Sequence, residues 1–126
     1  MRIDGPAITP TEVSFPQGED DLAGYLYLPE SDRPVPCLVD NHGSQMPPGT
    51  ADLSHPQTAA FFLSQGCAYL FFHRAGYGNS SGTLLADDVP APRGTPDHDT
   101  QMVGRLKREN DDVIAALDYL TARPEI

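Results

Sequence analysis

The chain has 126 residues, of which 39% are hydrophobic and 21% charged, the composition of one packed globular domain rather than of a disordered or fibrous polymer. Its 18 acidic residues against 8 basic ones give a formal net charge of -10, which opposes the counterion release behind non-specific nucleic-acid affinity and repels anionic lipid. The first residues lack the apolar core and cleavage site of a signal peptide, and no apolar run reaches bilayer-spanning length. Neither nucleic acid nor a membrane is therefore expected as a partner, and the expected location is the cytoplasm.

Residues 12–28 read as an antiparallel hairpin. Glu12, Val13, Ser14 and Phe15 alternate polar and apolar side chains, a turn follows at residues 17–21, and the returning run ends at Pro29. Residues 35–41 form a short strand with an apolar centre, Cys37-Leu38-Val39, read as buried and ending in His42-Gly43-Ser44. Ser54-His55-Pro56 offers a cap followed by a proline suited to a first helical turn, so a helix is expected from about residue 55 to residue 65, stopped by Gly66. The continuous apolar run at residues 67–72 suits a parallel strand covered on both faces. A strand-helix-strand unit over residues 35–72 follows from this order. Cys37 and Cys67 read as reduced core thiols, with a disulfide left open where the two strands are neighbours.

Residues 73–82 are a glycine-rich loop, residues 83–100 an irregular excursion above the sheet and a candidate lid, and residues 101–122 an amphipathic helix. In the last of these, Val103, Leu106, Asn110, Val113, Leu117 and Leu120 recur at steps of three and four.

Two stretches carry possible chemistry. The first is Asn41-His42-Gly43-Ser44 at the carboxyl end of a strand, where open α/β sheets place their crevices. Glycine permits a sharp turn there, and the following amides then face developing negative charge; the competing reading is an ordinary tight turn with a hydrogen-bonded histidine. The second is the loop at residues 73–82. Gly76-Tyr77-Gly78 lacks the third glycine of a dinucleotide fingerprint. Gly78-Asn79-Ser80-Ser81-Gly82 matches the G-x-S-x-G pattern, yet six loop residues precede it and no helix begins at once, so Ser80 lacks the setting of a nucleophile elbow. His42, His55, His73 and His98 do not have metal-ligand spacing, and no metal or cofactor is expected. His98 reads as a solvated loop residue, and Asp111-Asp112 with Arg105, Lys107 and Arg108 as a solvated, ion-paired helix face.

The order of these pieces resembles the N-terminal half of the α/β-hydrolase superfamily, in particular its dienelactone-hydrolase and prolyl-oligopeptidase-like branch. The resemblance runs from Thr11 onward and rests on the hairpin, on Val39-Asp40-Asn41-His42-Gly43-Ser44, on the helix ending at Gly66, on His73-Arg74-Ala75-Gly76-Tyr77-Gly78-Asn79-Ser80-Ser81-Gly82, and on the helix around Asn110-Asp111-Asp112-Val113-Ile114. It implies an α/β fold, an antiparallel hairpin followed by parallel strands with flanking helices. It further implies that His42, Gly43, Ser44 and Gln45 form an oxyanion-hole loop, with His42 and Gly43 shaping the turn. The loop from Arg74 to Ser81 would line the same crevice, through Arg74, Gly76, Tyr77, Gly78 and Ser80, and would steady this turn.

By the same resemblance the nucleophile elbow, the acid and the catalytic histidine would come after Ile126. The expectation is a portion of a serine-type, or cysteine-type, hydrolase acting on a small ester, lactone or peptide, inactive alone, whose open sheet edge invites a partner strand or self-association. The alternatives are a non-catalytic binding module, half of a split enzyme, or a small complete enzyme using Ser80.

Overall fold

The computed structural model describes residues 8–43, 47–48 and 54–126. Its elements are β1 (Thr11–Gln17), β2 (Asp20–Tyr27), β3 (Cys37–Asn41), α1 (Pro56–Ser64), β4 (Ala68–Phe72), α2 (Leu85–Asp88) and α3 (Pro96–Thr121). They build a four-stranded sheet in the order β1-β2-β4-β3. β1 and β2 form an antiparallel hairpin in which Gln17 pairs with Asp20, so Gly18 and Glu19 make a two-residue turn, and Gly18 takes the φ of +58° that such turns favour. β4 pairs antiparallel with β2 and parallel with β3. The architecture is α/β: a hairpin, then a parallel strand-helix-strand unit, with flanking helices.

All five residues of β4 are buried, because the strand has a neighbour on each side and a layer on each face. Leu70 and Phe72 point into one core with Phe15, Leu22, Leu26, Ala116 and Leu120. Tyr69 and Phe71, one residue out of phase, point into a second with Tyr27, Ala59 and Tyr77. The period of two in a strand thus explains why a run with no polar alternation is still a strand.

β3 differs from the expectation of a buried strand. None of its five residues is fully buried and Leu38 is 38% exposed, because β4 is its sole strand neighbour among the described residues. α1 starts on His55, not on the Ser54 side chain. His55 adopts a left-handed backbone (φ 50°, ψ 51°) without capping through its side chain, and Pro56 follows in the first turn. Gly66, at φ +77°, ends the helix as the sequence suggested.

The region 83–100 is more regular than its prolines implied. α2 is a single turn, and α3 begins at Pro96, five residues before the expected start. The local reason is a complete start signal: Thr95 Oγ1 accepts from the His98 N–H at 3.2 Å, Pro96 occupies the first turn, and Asp97 and Asp99 place negative charge at the positive end of the helix dipole. His98 is accordingly a half-buried residue of that first turn rather than a solvated loop residue.

Candidate functional site

The strand β3 delivers Asn41 and His42 to the carboxyl edge of the sheet, and Arg74, just past the end of the neighbouring β4, fastens them. The Arg74 backbone N–H donates to His42 Nε2 at 2.9 Å, and the Arg74 guanidinium donates to the His42 carbonyl at 2.7 Å and to the Asn41 side-chain oxygen. An accepting Nε2 leaves the ring hydrogen on Nδ1, which donates to the Gly43 carbonyl at 2.5 Å. Burial pushes the His42 imidazole down to about 4, against the Gly43 hydrogen bond, which raises it, and with Arg74 and His73 adding to the depression. His42 is therefore neutral near pH 7, with both nitrogens engaged. It holds the turn and has no free nitrogen with which to act as a base.

Gly43 itself is exposed. Its φ lies outside the left-handed region, and no described atom stands within 4 Å of where a Cβ would be, so the sharp turn expected to need glycine does not show that need here. Ser44 and Gln45 lie outside the described residues.

The loop that follows β4 is sewn under this turn. His73 Nδ1 accepts from the Asn79 N–H at 3.0 Å, which curls the loop over the imidazole. At Gly78 (φ +51°) a Cβ would stand 2.3 Å from that ring nitrogen, and at Gly76 (φ +81°) it would stand 2.1 Å from the Thr83 carbonyl oxygen. These glycines are required by the packing. Tyr77 is 5% exposed, with the Arg74 and Arg105 guanidinium carbons each 5.4 Å from its ring centre. Its hydroxyl is raised above the ordinary phenol range by burial and by the neighbouring Glu109 carboxylate. Ser80 Oγ accepts from the Ala23 N–H at 2.8 Å and donates to the His73 carbonyl, while Ser81 Oγ accepts from the Asp21 N–H at 2.8 Å. The Ser80 hydrogen is thus directed at a backbone carbonyl. Arg74, Gly76, Tyr77 and Gly78 are all buried beneath the turn, and they shape it from below.

The support continues into α3, where sequence reasoning missed it. Arg105, read as part of a solvated face, has a side chain only 1% exposed. It donates to the Ala75 carbonyl at 2.7 Å, the Thr83 carbonyl at 2.6 Å, Asp88 Oδ2 at 2.6 Å and Glu109 Oε1 at 3.2 Å. Asp112, also expected in solvent, is buried and accepts the Ala75 N–H at 2.9 Å. Burial raises its carboxyl above the usual range, opposed by that hydrogen bond. Glu109 Oε2 lies 3.6 Å from Arg74 Nε, closing a path from α3 to the β3 turn. The available signal was spacing: residues 105, 109 and 112 fall on one helical face, and a base with two acids on a face that also carries Ala116 and Leu120 marks a polar network meeting loop backbone.

A second cluster flanks the turn. Asp40 Oδ2 receives the Tyr69 hydroxyl and lies 3.1 Å from His55 Nδ1, the His55 ring stacks on Phe71 with centres 4.0 Å apart, and the Tyr27 hydroxyl donates to the Ser54 carbonyl at 2.9 Å. Asp40 and His55 are thus held together beside the turn. Cys37 and Cys67 are free thiols, half-buried, and burial pushes the Cys37 thiol up to about 11. Among the described residues there is no group of three or more His, Cys, Asp and Glu side chains able to hold a metal ion, and no helix long and apolar enough to cross a membrane.

No family model matches the sequence, and no curated protein matches it. Solved structures do resemble it. An alpha/beta hydrolase, GrgF from Penicillium sp. sh18, superposes with a TM-score of 0.56 at 21% identity, over 90% of this chain and 32% of that one. DcsB, solved in complex with its substrate analogue, superposes with a TM-score of 0.59 at 17% identity, over 93% of this chain and 33% of that one. The chain has the α/β-hydrolase fold. It spans about a third of the length of these two structures, and the likeness does not single out the dienelactone-hydrolase branch. In that fold the turn after β3 and the loop after β4 sit at the carboxyl end of the parallel strands, where α/β sheets bind ligands.

Proposed function

We propose that residues 42–45 form one side of an oxyanion hole in a serine-type or cysteine-type hydrolase that acts on small ester, lactone or peptide bonds by acyl transfer. The observation that carries this reading is the double hold of Arg74 on His42, backbone to ring and guanidinium to carbonyl. It fixes the backbone that leads into the turn, and a donor group held in advance needs no reorganisation when charge develops on a carbonyl oxygen. His42 is a positioning residue here, and so is His55, which anchors the far end of the same segment through Asp40.

No described serine or cysteine directly follows a strand and opens a helix, and the Ser80 hydroxyl is engaged with backbone on both sides. In this reading the nucleophile sits on a strand that pairs with the open side of β3, and the acid and the histidine come from later strands. The branch of the superfamily, the acyl group and a cytoplasmic setting belong to the same proposal.

The test is titration with a fluorophosphonate probe. The 126-residue chain should stay unlabelled, whereas a version extended through any coding sequence found beyond Ile126 should label, and Arg74→Met in that version should slow acylation by about 10²–10³-fold, the scale of losing one oxyanion donor. Labelling of the short chain, or of neither form, would overturn the reading.

A further inference from the structure

Glu109 differs from the other members of the α3 network in what it holds. Arg105 and Asp112 bind backbone groups of the loop after β4. The Glu109 carboxylate, 12% exposed, meets side chains alone among the described residues. Its Oε1 accepts from Arg105 Nε at 3.2 Å, its Oε2 lies 3.6 Å from Arg74 Nε, and the Tyr77 hydroxyl is its neighbour. Both guanidinium groups also lie against the Tyr77 ring. One carboxylate from α3 therefore stands between the cation that braces the loop and the cation that grips the β3 turn.

The need for it follows from what Arg74 touches. Its guanidinium donates to the Asn41 side-chain oxygen and to the His42 carbonyl, both neutral acceptors. The side chain is 8% exposed, and a cation buried without a counter-charge is costly. Glu109 is the one acid within ion-pair distance of it among the described residues. Arg74 Nε has no hydrogen-bond acceptor at ordinary range there, so Glu109 acts on Arg74 by its charge rather than by a directed bond. Without that charge, Arg74 and Arg105 would face Tyr77 as two buried like charges. Arg105 would keep Asp88 and two loop carbonyls, so Arg74 is the one that gives way.

We propose that Glu109 is a positioning residue of the site, its charge on α3 holding the Arg74 guanidinium against Asn41 and the His42 carbonyl and so fixing the backbone where the β3 turn begins. Its effect on rate rests on the acyl-transfer reading above; its hold on Arg74 does not.

Three substitutions separate charge from shape. Glu109→Gln keeps the size and the acceptor for Arg105 but removes the charge, Glu109→Asp keeps the charge but draws it back from Arg74, and Arg108→Met removes an exposed charge from the same helix. In the 126-residue chain, held well below its melting temperature, NMR reads the Asn41 side-chain amide, the His42 ring nitrogens and the Arg74 Nε–H. Glu109→Gln should shift the Asn41 and His42 signals and speed hydrogen exchange at Arg74 Nε by about tenfold. Glu109→Asp should move the same signals less, and Arg108→Met should leave them in place. In the version extended beyond Ile126, Glu109→Gln should slow acylation by about tenfold at saturating probe, with little change in the probe concentration that gives half the maximal rate. A Glu109→Gln that melts earlier yet leaves the Asn41 and His42 signals where they were has a role in stability alone, and the proposal falls. It falls also where the signals shift and a labelling enzyme keeps its full rate. Should Glu109→Gln fail to fold, unmoved signals in Glu109→Asp overturn the proposal instead. An extended wild type that does not label would sink the acyl-transfer reading, and the NMR signals then decide by themselves whether Glu109 holds Arg74.

Discussion

Arg105 and Arg108 show how little a side chain's type says about its weight. Both reach Asp88 Oδ2, but Arg105 has a side chain 1% exposed and Arg108 one 53% exposed. Removing Arg105 strands two loop carbonyls and the carboxylates of Asp88 and Glu109, so Arg105→Met should destabilise the chain by about 3–5 kcal/mol in urea denaturation, while Arg108→Met should change stability by no more than about 0.5 kcal/mol. His42 makes a pH prediction at the same scale. Its folded imidazole titrates near 4 against an ordinary value of 6.5. Acidification between those values protonates the unfolded chain first, and stability falls across that window by up to about 3 kcal/mol. Asp112 works in the opposite sense: its raised carboxyl takes up a proton in the folded state before the unfolded one, which relieves its burial as pH falls. His42→Gln keeps an acceptor for the Arg74 amide without titrating, so its unfolding free energy should be flatter between about pH 6.5 and 5. Gly43→Ala and Gly78→Ala make a second contrast. The first meets no described atom, whereas the second drives a Cβ into the His73 ring at positive φ; thermal unfolding should show a near-native Gly43→Ala and a Gly78→Ala lowered by several degrees or more.

At the level of elements, the parts legible in the sequence were those set by local period and local punctuation. β4 announced itself by an apolar run of strand length, α1 by Pro56 and Gly66, and the parallel pairing of β3 and β4 by the helix between them. What was not legible depended on contacts distant in sequence. The partial exposure of β3 follows from its place at one side of the sheet, and the burial of Arg105 and Asp112 from loop amides and carbonyls that have no ladder to join. The start of α3 was legible and was outweighed by the prolines before it; Thr95 followed by Pro96 is a complete cap. Thr95→Ala should cost about 1 kcal/mol in chemical denaturation, the usual value for a capping hydroxyl. The turn after His42 was found by motif, and the resemblance gave the loop from Arg74 onward the part of steadying it, but the individual bonds from Arg74 to Asn41 and His42 depend on the tertiary pairing that sets β4 beside β3.

The whole molecule combines a net charge of -10 with a sheet in which β3 has one strand neighbour among the described residues. The loop after β4 is held to β2 by Ser80 and Ser81, whose hydroxyl oxygens take the Ala23 and Asp21 amides. Those two amides are protected from solvent exchange only while the loop is closed. Their exchange rates therefore form a built-in gauge of the floor of the site: a ligand that settles on the turn and tightens the loop beneath it would announce itself as slower exchange at Asp21 and Ala23, on the hairpin rather than at the point of binding.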